Sequence, residues 1–329
     1  MKIAFVFVLF ALAAHADVFT TFEVCGASRS EQNGTFVNGV NGSGTVVGSA
    51  YMTTGQTVGY MRTVDGTVTC ISVAGRTWTS AQSVNNAGIV TGSYSDDAEN
   101  YNSAFIRNAD GSLTSFRVLT FTNPAGINES GVVAGTAIPT FGTINGFIRA
   151  TDGTITLLAD STSVTGINDE GSVTGSLTGA YGFSTGFVRS PDGTFREFDV
   201  PGGCTGLAPT FPAAINQPGE ITGHYQDCGT LESHGFVRTK DGVLTTFDLP
   251  GSVNTFPLAI NSQGDITGYF INGSGERIGF IRSGGGTNAI ATFGVPGSTY
   301  NTPVAINGTL IAGSYQGLDL IYHGFIVSK

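Results

Sequence analysis

One unit recurs seven times between Asn41 and Asn307: an aliphatic residue followed by Asn, a Gly seven residues later in six of the copies, and then, in most copies, Gly-Phe-aliphatic-Arg and an Asp-Gly turn. The turn asparagines are Asn41, Asn85, Asn128, Asn168, Asn216, Asn261 and Asn307, spaced by 44, 43, 40, 48, 45 and 46 residues. One small sheet cannot bury both its faces without neighbouring sheets, so a period in the forties with strand-type content marks a propeller blade.

A single copy shows the blade. Pro257–Asn261, Asp265–Phe270, Ile278–Arg282 and Ile290–Val295 are short, rich in β-branched and aromatic residues, and bounded by Gly, Asn or Pro. That pattern predicts four antiparallel strands, A to D. Asn-x-x-Gly, as in Asn128–Gly131, makes a tight A-B hairpin in which Gly takes positive φ and the Asn side chain bonds nearby backbone. Asp-Gly, as in Asp110-Gly111, makes the C-D turn.

The two ends complement each other. Phe19–Val24 matches strand D elsewhere (Leu244–Leu249) yet precedes the first Asn turn, while the last copy stops at a strand C, Gly324–Val327. The N-terminal strand is therefore expected to complete the last blade, which closes a ring of seven four-stranded blades and leaves only short edges. The predicted fold is all-β, with residues 17–329 as one seven-bladed β-propeller.

Residues 1–16 read as a secretory signal: Lys2, an apolar stretch from Ile3 to Ala14, and the small-residue site Ala14-His15-Ala16. The stretch is too short to span a bilayer as a helix, so no membrane anchor is expected. Loss of Lys2 takes the charge from −10 to −11. An acidic chain with dispersed basic residues lacks the footprint that neutralises phosphates, which argues against nucleic acid.

Variation between copies falls mainly in the D-A connections. From the Asp-Gly position to the next Asn the distances are 20, 18, 16, 24, 20 and 22 residues. In an up-and-down blade the D-A and B-C connections share a face, and variable loops on a fixed scaffold are where recognition is built. The longest D-A stretch, Gly202 to Ala213, is the expected centre. Cys204 lies in it, and Cys228 lies in a lengthened B-C connection of the same copy, so a Cys204–Cys228 disulfide fits an oxidising compartment. The pairing of Cys25 and Cys70 stays open, and no Cys-x-x-Cys pair suggests zinc.

Arg62, Arg107, Arg149, Arg189, Arg238 and Arg282 end strand C in six copies; local pairing with turn carboxylates or carbonyls is expected. His234 and His323 hold one repeat slot, and His224 stands alone in strand B. Tyr94, Tyr225, Tyr269 and Tyr315 recur just behind the strand-B glycine, where blade packing is expected. Asp96, Asp97, Glu99, Asp227 and Glu232 give the variable face an acidic rim without a calcium-loop pattern. No Gly-x-Ser-x-Gly elbow or His-Glu-x-x-His helix is present, and five Asn-x-Ser/Thr acceptor patterns fall mostly in turns.

The unit Ile-Asn-x-x-Gly-x-Ile-x-Gly, with His234–Arg238 and Thr245–Gly251, resembles the bacterial extracellular HAF-repeat family over essentially the whole chain after residue 16. The His slot survives only at His234 and His323, and the Ala only at Ala104. The resemblance implies an exported repeat protein and brings no catalytic residue. The expectation is a secreted or periplasmic, monomeric, non-catalytic module without cofactor or metal. It meets an extracellular ligand, glycan or protein, on the D-A and B-C face through His224, Tyr225, Asp227, Asp96 and Asp97. The competing expectation is an extracytoplasmic carbohydrate-active hydrolase or lyase using that same face.

Overall fold

The computed structural model describes residues 18–27, 33–96, 101–179, 184–200, 209–286 and 288–328. The expected signal segment, Asp97 and Cys204 lie outside these residues. Among them every regular element is a β-strand.

Strand β1 (Phe19–Phe22) precedes the repeats. The first repeat is β2 (Thr35–Val40), β3 (Val46–Tyr51), β4 (Thr57–Arg62) and β5 (Val68–Ile71). The second is β6 (Thr79–Val84), β7 (Val90–Asp96), β8 (Tyr101–Arg107) and β9 (Leu113–Phe116). The third is β10 (Phe121–Ile127), β11 (Val133–Ile138), β12 (Asn145–Arg149) and β13 (Ile155–Asp160). The fourth is β14 (Thr162–Ile167), β15 (Val173–Thr178), β16 (Ser184–Arg189) and β17 (Phe195–Phe198). The fifth is β18 (Thr210–Ile215), β19 (Ile221–Gln226), β20 (Ser233–Arg238) and β21 (Leu244–Phe247). The sixth is β22 (Ser252–Ile260), β23 (Ile266–Asn272), β24 (Arg277–Arg282) and β25 (Ile290–Phe293). The seventh is β26 (Tyr300–Asn307), β27 (Leu310–Gln316) and β28 (Tyr322–Ser328). Within each repeat, consecutive strands pair antiparallel, so the sheets are antiparallel meanders. Single parallel contacts, Phe121 with Asn102 and Arg277 with Tyr300, link neighbouring repeats.

Strand A bulges at the same point in all seven repeats, for example between Pro212 and Ala214 and between Val164 and Gly166. A bulge turns one carbonyl towards the partner strand. The strand-B glycine lies beneath it: a Cβ on Gly175 would run into the Ser163 carbonyl, and one on Gly223 into the Phe211 carbonyl. The recurrent Gly is thus a steric demand of the bulge.

The strand-C glycine answers a different contact. A side chain at Gly186, Gly235 or Gly279 would meet the ring of Phe198, Phe247 or Phe293 on the paired strand D. The next residue is a fully buried ring in every repeat: Tyr60, Phe105, Phe147, Phe187, Phe236, Phe280 and Phe325. Together with buried aliphatic residues of strand B, such as Val173, Ile221 and Ile266, these rings fill the space between consecutive sheets. Each aromatic side chain buries a large area, so this layer supplies much of the apolar driving force.

The turn asparagines do more than close their hairpins. Asn85 Oδ1 accepts from Ile89 N within its own turn, while its Nδ2 donates to the carbonyl of Asn128 in the next repeat, 3.1 Å away. The same reach runs from Asn41 to Asn85, Asn128 to Asn168, Asn168 to Asn216, Asn216 to Asn261, and Asn261 to Gly308. A second row of contacts runs alongside, in which Glu129 accepts from Asn86 N, Asp169 from Glu129 N, and Gln217 from Asp169 N. Buried amides need partners, and the repeats satisfy one another. Asn41 and Asn128, both acceptor-pattern asparagines, are buried in this belt with their amides engaged.

The N-terminal strand takes the position expected of it. Strand β1 pairs antiparallel with β28, from Phe19 opposite Val327 to Phe22 opposite Gly324. Phe22 also meets the first repeat, edge-on to Tyr60 and beneath the Arg62 guanidinium at 4.8 Å. The first and seventh repeats touch directly as well, through Val37 N and Ser314 Oγ at 2.9 Å and through Ala312 in the core around Val37 and Tyr60. The open question over Cys25 and Cys70 is resolved: they form a disulfide with Cα atoms 6.0 Å apart, joining the residue just past β1 to β5 of the first repeat. The described cysteines include no free thiol.

Candidate functional site

Strand A starts, strand B ends and strand C starts all lie on the face of the D-A and B-C connections. There, half-buried rings line up across repeat boundaries. Phe211 of β18 stacks on His224 of β19 at 5.0 Å, and His224 meets the ring of Phe256 of β22 edge-on at 5.0 Å. Phe256 lies 5.0 Å from Tyr269 of β23. The Arg277 guanidinium sits between Tyr269 and Tyr300, 4.1 Å from one ring and 3.9 Å from the other. It donates to Tyr300 Oη at 2.6 Å and Thr302 Oγ1 at 3.1 Å. Tyr322, within electrostatic reach of Tyr300 and Arg277, packs on Phe36 of the first repeat at 4.8 Å. The arc thus spans the fifth, sixth, seventh and first repeats.

The arc places the sequence candidates. His224 is inside it, and burial among rings pushes its pKa down from 6.5 to about 4. A base held neutral to that degree is a poor proton acceptor near neutrality, and His224 stands as a neutral ring between Phe211 and Phe256. The linkage has a definite sign: the folded pKa is depressed, so the unfolded chain binds the proton first and stability falls as pH drops from about 6.5 towards 4. A His224→Gln variant is expected to match the wild type's pH response above pH 7 and to escape about 2–3 kcal/mol of the loss by pH 4.5. Urea unfolding at both pH values checks this; parallel pH profiles would contradict it.

Asp227 caps its own loop instead, its Oδ1 accepting from Gly229 N at 2.7 Å and Thr230 N at 2.9 Å. Those backbone bonds hold its carboxyl below the usual value. Asp96 ends β7, away from the arc in the second repeat.

Tyr225 belongs to a separate row. Its ring lies 5.2 Å from His234, whose Nδ1 is 2.8 Å from Asp248 Oδ2. The seventh repeat repeats the arrangement, with Tyr315 stacked on His323 at 5.1 Å and His323 paired with Glu23 and Asp319. The two retained signature histidines therefore bind strand B to strand D within one sheet, Glu23 lying just beyond β1. Tyr269 departs from the tyrosine pattern: it follows Gly268 directly and takes the slot of His224, while Phe270 holds the slot of Tyr225, Tyr94 and Tyr315. That one-residue shift flips it from the Tyr–His row to the arc.

The strand-C arginines behave as expected towards carbonyls, Arg149 donating to Ala150 O and Arg238 to Thr239 O. They also stand over a strand-D phenylalanine of the preceding repeat, Arg149 over Phe116 and Arg238 and Arg282 over Phe198 and Phe247, each at 4.9 Å. The sequence reading missed the strand-A members of the arc. For Phe36, Phe211 and Phe256 the signal was the residue after the strand-A threonine, which is Ser80, Asn123 and Ser163 in other repeats; Tyr300, two places before that slot, carries no such signal.

No protein-family profile matches the chain, and no curated protein matches it. Solved structures do. The acylaminoacyl peptidase of Pyrococcus horikoshii superposes with a TM-score of 0.59 at 7% identity, covering 86% of this chain and 49% of that one. A puromycin hydrolase gives 0.54 at 12% identity over 88% of this chain and 51% of that one. This chain thus spans about half the length of these two enzymes. The BP39L lectin of Burkholderia pseudomallei gives 0.50 at 11% identity, with 88% of this chain and 94% of that chain covered. At such identities the likeness concerns the fold alone: a β-propeller. Among the described residues no helix is long and apolar enough to cross a membrane.

Proposed function

We propose that the chain is an exported HAF-repeat protein that folds, after loss of residues 1–16, as a closed seven-bladed propeller and acts as a non-catalytic binding module. The β1–β28 pairing and the contacts between first and seventh repeats support closure. The Cys25–Cys70 disulfide fits an oxidising compartment, where Cys204 and Cys228 pair as well. The ligand, an extracellular glycan or protein, meets the D-A and B-C face.

The observation that carries this reading is the arc of half-buried rings with Arg277 between Tyr269 and Tyr300. Flat rings offer contact area at little cost in side-chain entropy, and an arginine held between them is already ordered before binding. Glycan-array and secreted-protein binding should fall about tenfold or more in Tyr269→Ala and Tyr300→Ala. Val64→Ser, on the opposite face, should leave it unchanged. Full binding by both tyrosine variants would defeat the proposal.

The alternative, a carbohydrate-active hydrolase or lyase, draws on one spot: Tyr225, His234 and Asp248 with the charge of Asp227 nearby. Oligosaccharide turnover that disappears in His234→Ala would favour it. The recurrence of the same row around His323 favours packing.

A further inference from the structure

Two recesses lie between consecutive sheets on the face opposite the arc, beside the A-B and C-D turns, and they occupy equivalent places in the repeat. One, about 350 Å³, lies between the second and third repeats and is lined by Ile89, Asn108, Thr114, Arg149 and Thr151 among others. The other, about 230 Å³, lies between the fourth and fifth and holds Ser172, Ser190, Arg196, Arg238 and Lys240 in those same slots. Repeat alignment makes the exchanges explicit: Ile89 becomes Ser172, Thr114 becomes Arg196, and Thr151 becomes Lys240. Three neutral slots have turned cationic or hydroxylic in a protein whose net charge is −10.

The lining of the second recess holds more cations than carboxylates. Lys240 pairs with Glu170 at 3.2 Å, and this is the recess's one ion pair among the described residues. Arg196 and Arg238 face each other's charge, and burial followed by Arg196 pushes the Arg238 guanidinium below its ordinary value. Arg238 is 9% exposed, and its Nε has no hydrogen-bond partner among the described residues. A buried, charged donor without an acceptor is costly. Arg149, its counterpart, holds the same posture over a phenylalanine without a second arginine opposite. Packing alone therefore does not explain why Arg196 and Lys240 are here.

We propose that this recess binds a dianionic oxyanion, a sulfate or phosphate group, between Arg196, Arg238 and Lys240, with the Ser172 and Ser190 hydroxyls as further donors. Among the lining residues three cations face the single carboxylate of Glu170, with Asp192 of the neighbouring turn within electrostatic reach of Arg196, and a tetrahedral oxyanion accepts from several donors at once. The site is independent of the aromatic arc and lies on the other side of the protein.

The test is calorimetric titration of the full chain with inorganic sulfate, inorganic phosphate and acetate at matched ionic strength. Wild type is expected to bind one sulfate or phosphate per chain and acetate at least about tenfold more weakly; whichever of the two dianions binds more tightly assigns the head group. The Arg196→Thr/Lys240→Thr variant, which restores the residue type of the other recess, should fold normally by circular dichroism and bind at least about tenfold more weakly. Should it fail to fold, Lys240→Thr alone, at an exposed position, is expected to show a smaller loss in the same direction. No saturable binding by wild type, undiminished binding by the variants, or acetate binding as tightly as sulfate would overturn the proposal.

Discussion

Replacing Cys25 and Cys70 together by serine should lower the free energy of unfolding by about 4 kcal/mol, the chain-entropy value for a cross-link spanning 45 residues. The bond ties β1, which hydrogen-bonds to the seventh repeat, to β5 of the first. Without it, β1 and Glu23 beyond it keep four residues of pairing with β28, the rings of Phe19 and Phe22 against Phe325 and Gly324, and the Glu23–His323 pair. Exchange of the β28 amides with solvent should then speed up well before global unfolding, since short terminal strands open locally. Urea unfolding of wild type and variant, with hydrogen exchange read at β28 and at β16, checks both statements. A variant within about 1 kcal/mol of wild type with undisturbed β28 protection would mean that the strand needs no cross-link.

Gly175→Ala should cost roughly 3 kcal/mol, because the new methyl meets Ser163 carbonyl atoms and Val164 Cα, backbone that a side-chain rotation cannot clear. The bulge in strand A would have to flatten, and the flattened strand would carry Val164 out of the core cluster around Phe187. Gly273→Ala is the matched control: nothing lies within 4 Å of its added methyl, and the change should stay within about 1 kcal/mol. Equal behaviour of the two variants in chemical denaturation would show that the recurrent strand-B glycine serves flexibility rather than clearance.

Much of this architecture is legible in the sequence because it is local. Alternating β-branched residues, Asn-x-x-Gly and Asp-Gly turns specify strands and hairpins from neighbouring residues, and the likeness of Phe19–Val24 to strand D places β1 from its residues alone. What escaped reading depends on contacts between repeats. The Cys25–Cys70 bond joins the turn just past β1 to β5 of the first repeat, a proximity visible only once the first and last repeats are side by side. Asn85 reads as a turn residue, and its bond to Asn128 needs the second turn beside the first. His224 reads as a lone titratable group; only Phe211 and Phe256 on either side reveal it as a neutral ring. Arg196 and Lys240 are far apart in sequence and become a pair only through sheet packing.

The asparagine belt has a direction. Every side chain in it reaches forward to the following repeat, and the last donor, Asn261, finds Gly308 of a turn that is one residue shorter than the others. Among the described residues, seven knots of this kind are tied by six threads, and the gap in the amide cord falls between the final turn and the first. The same gap is where a covalent sulfur clasp and a borrowed strand stand guard. A protein assembled from recurring parts has thereby kept one seam unlike the rest, and mechanical or thermal opening should begin wherever that clasp is undone.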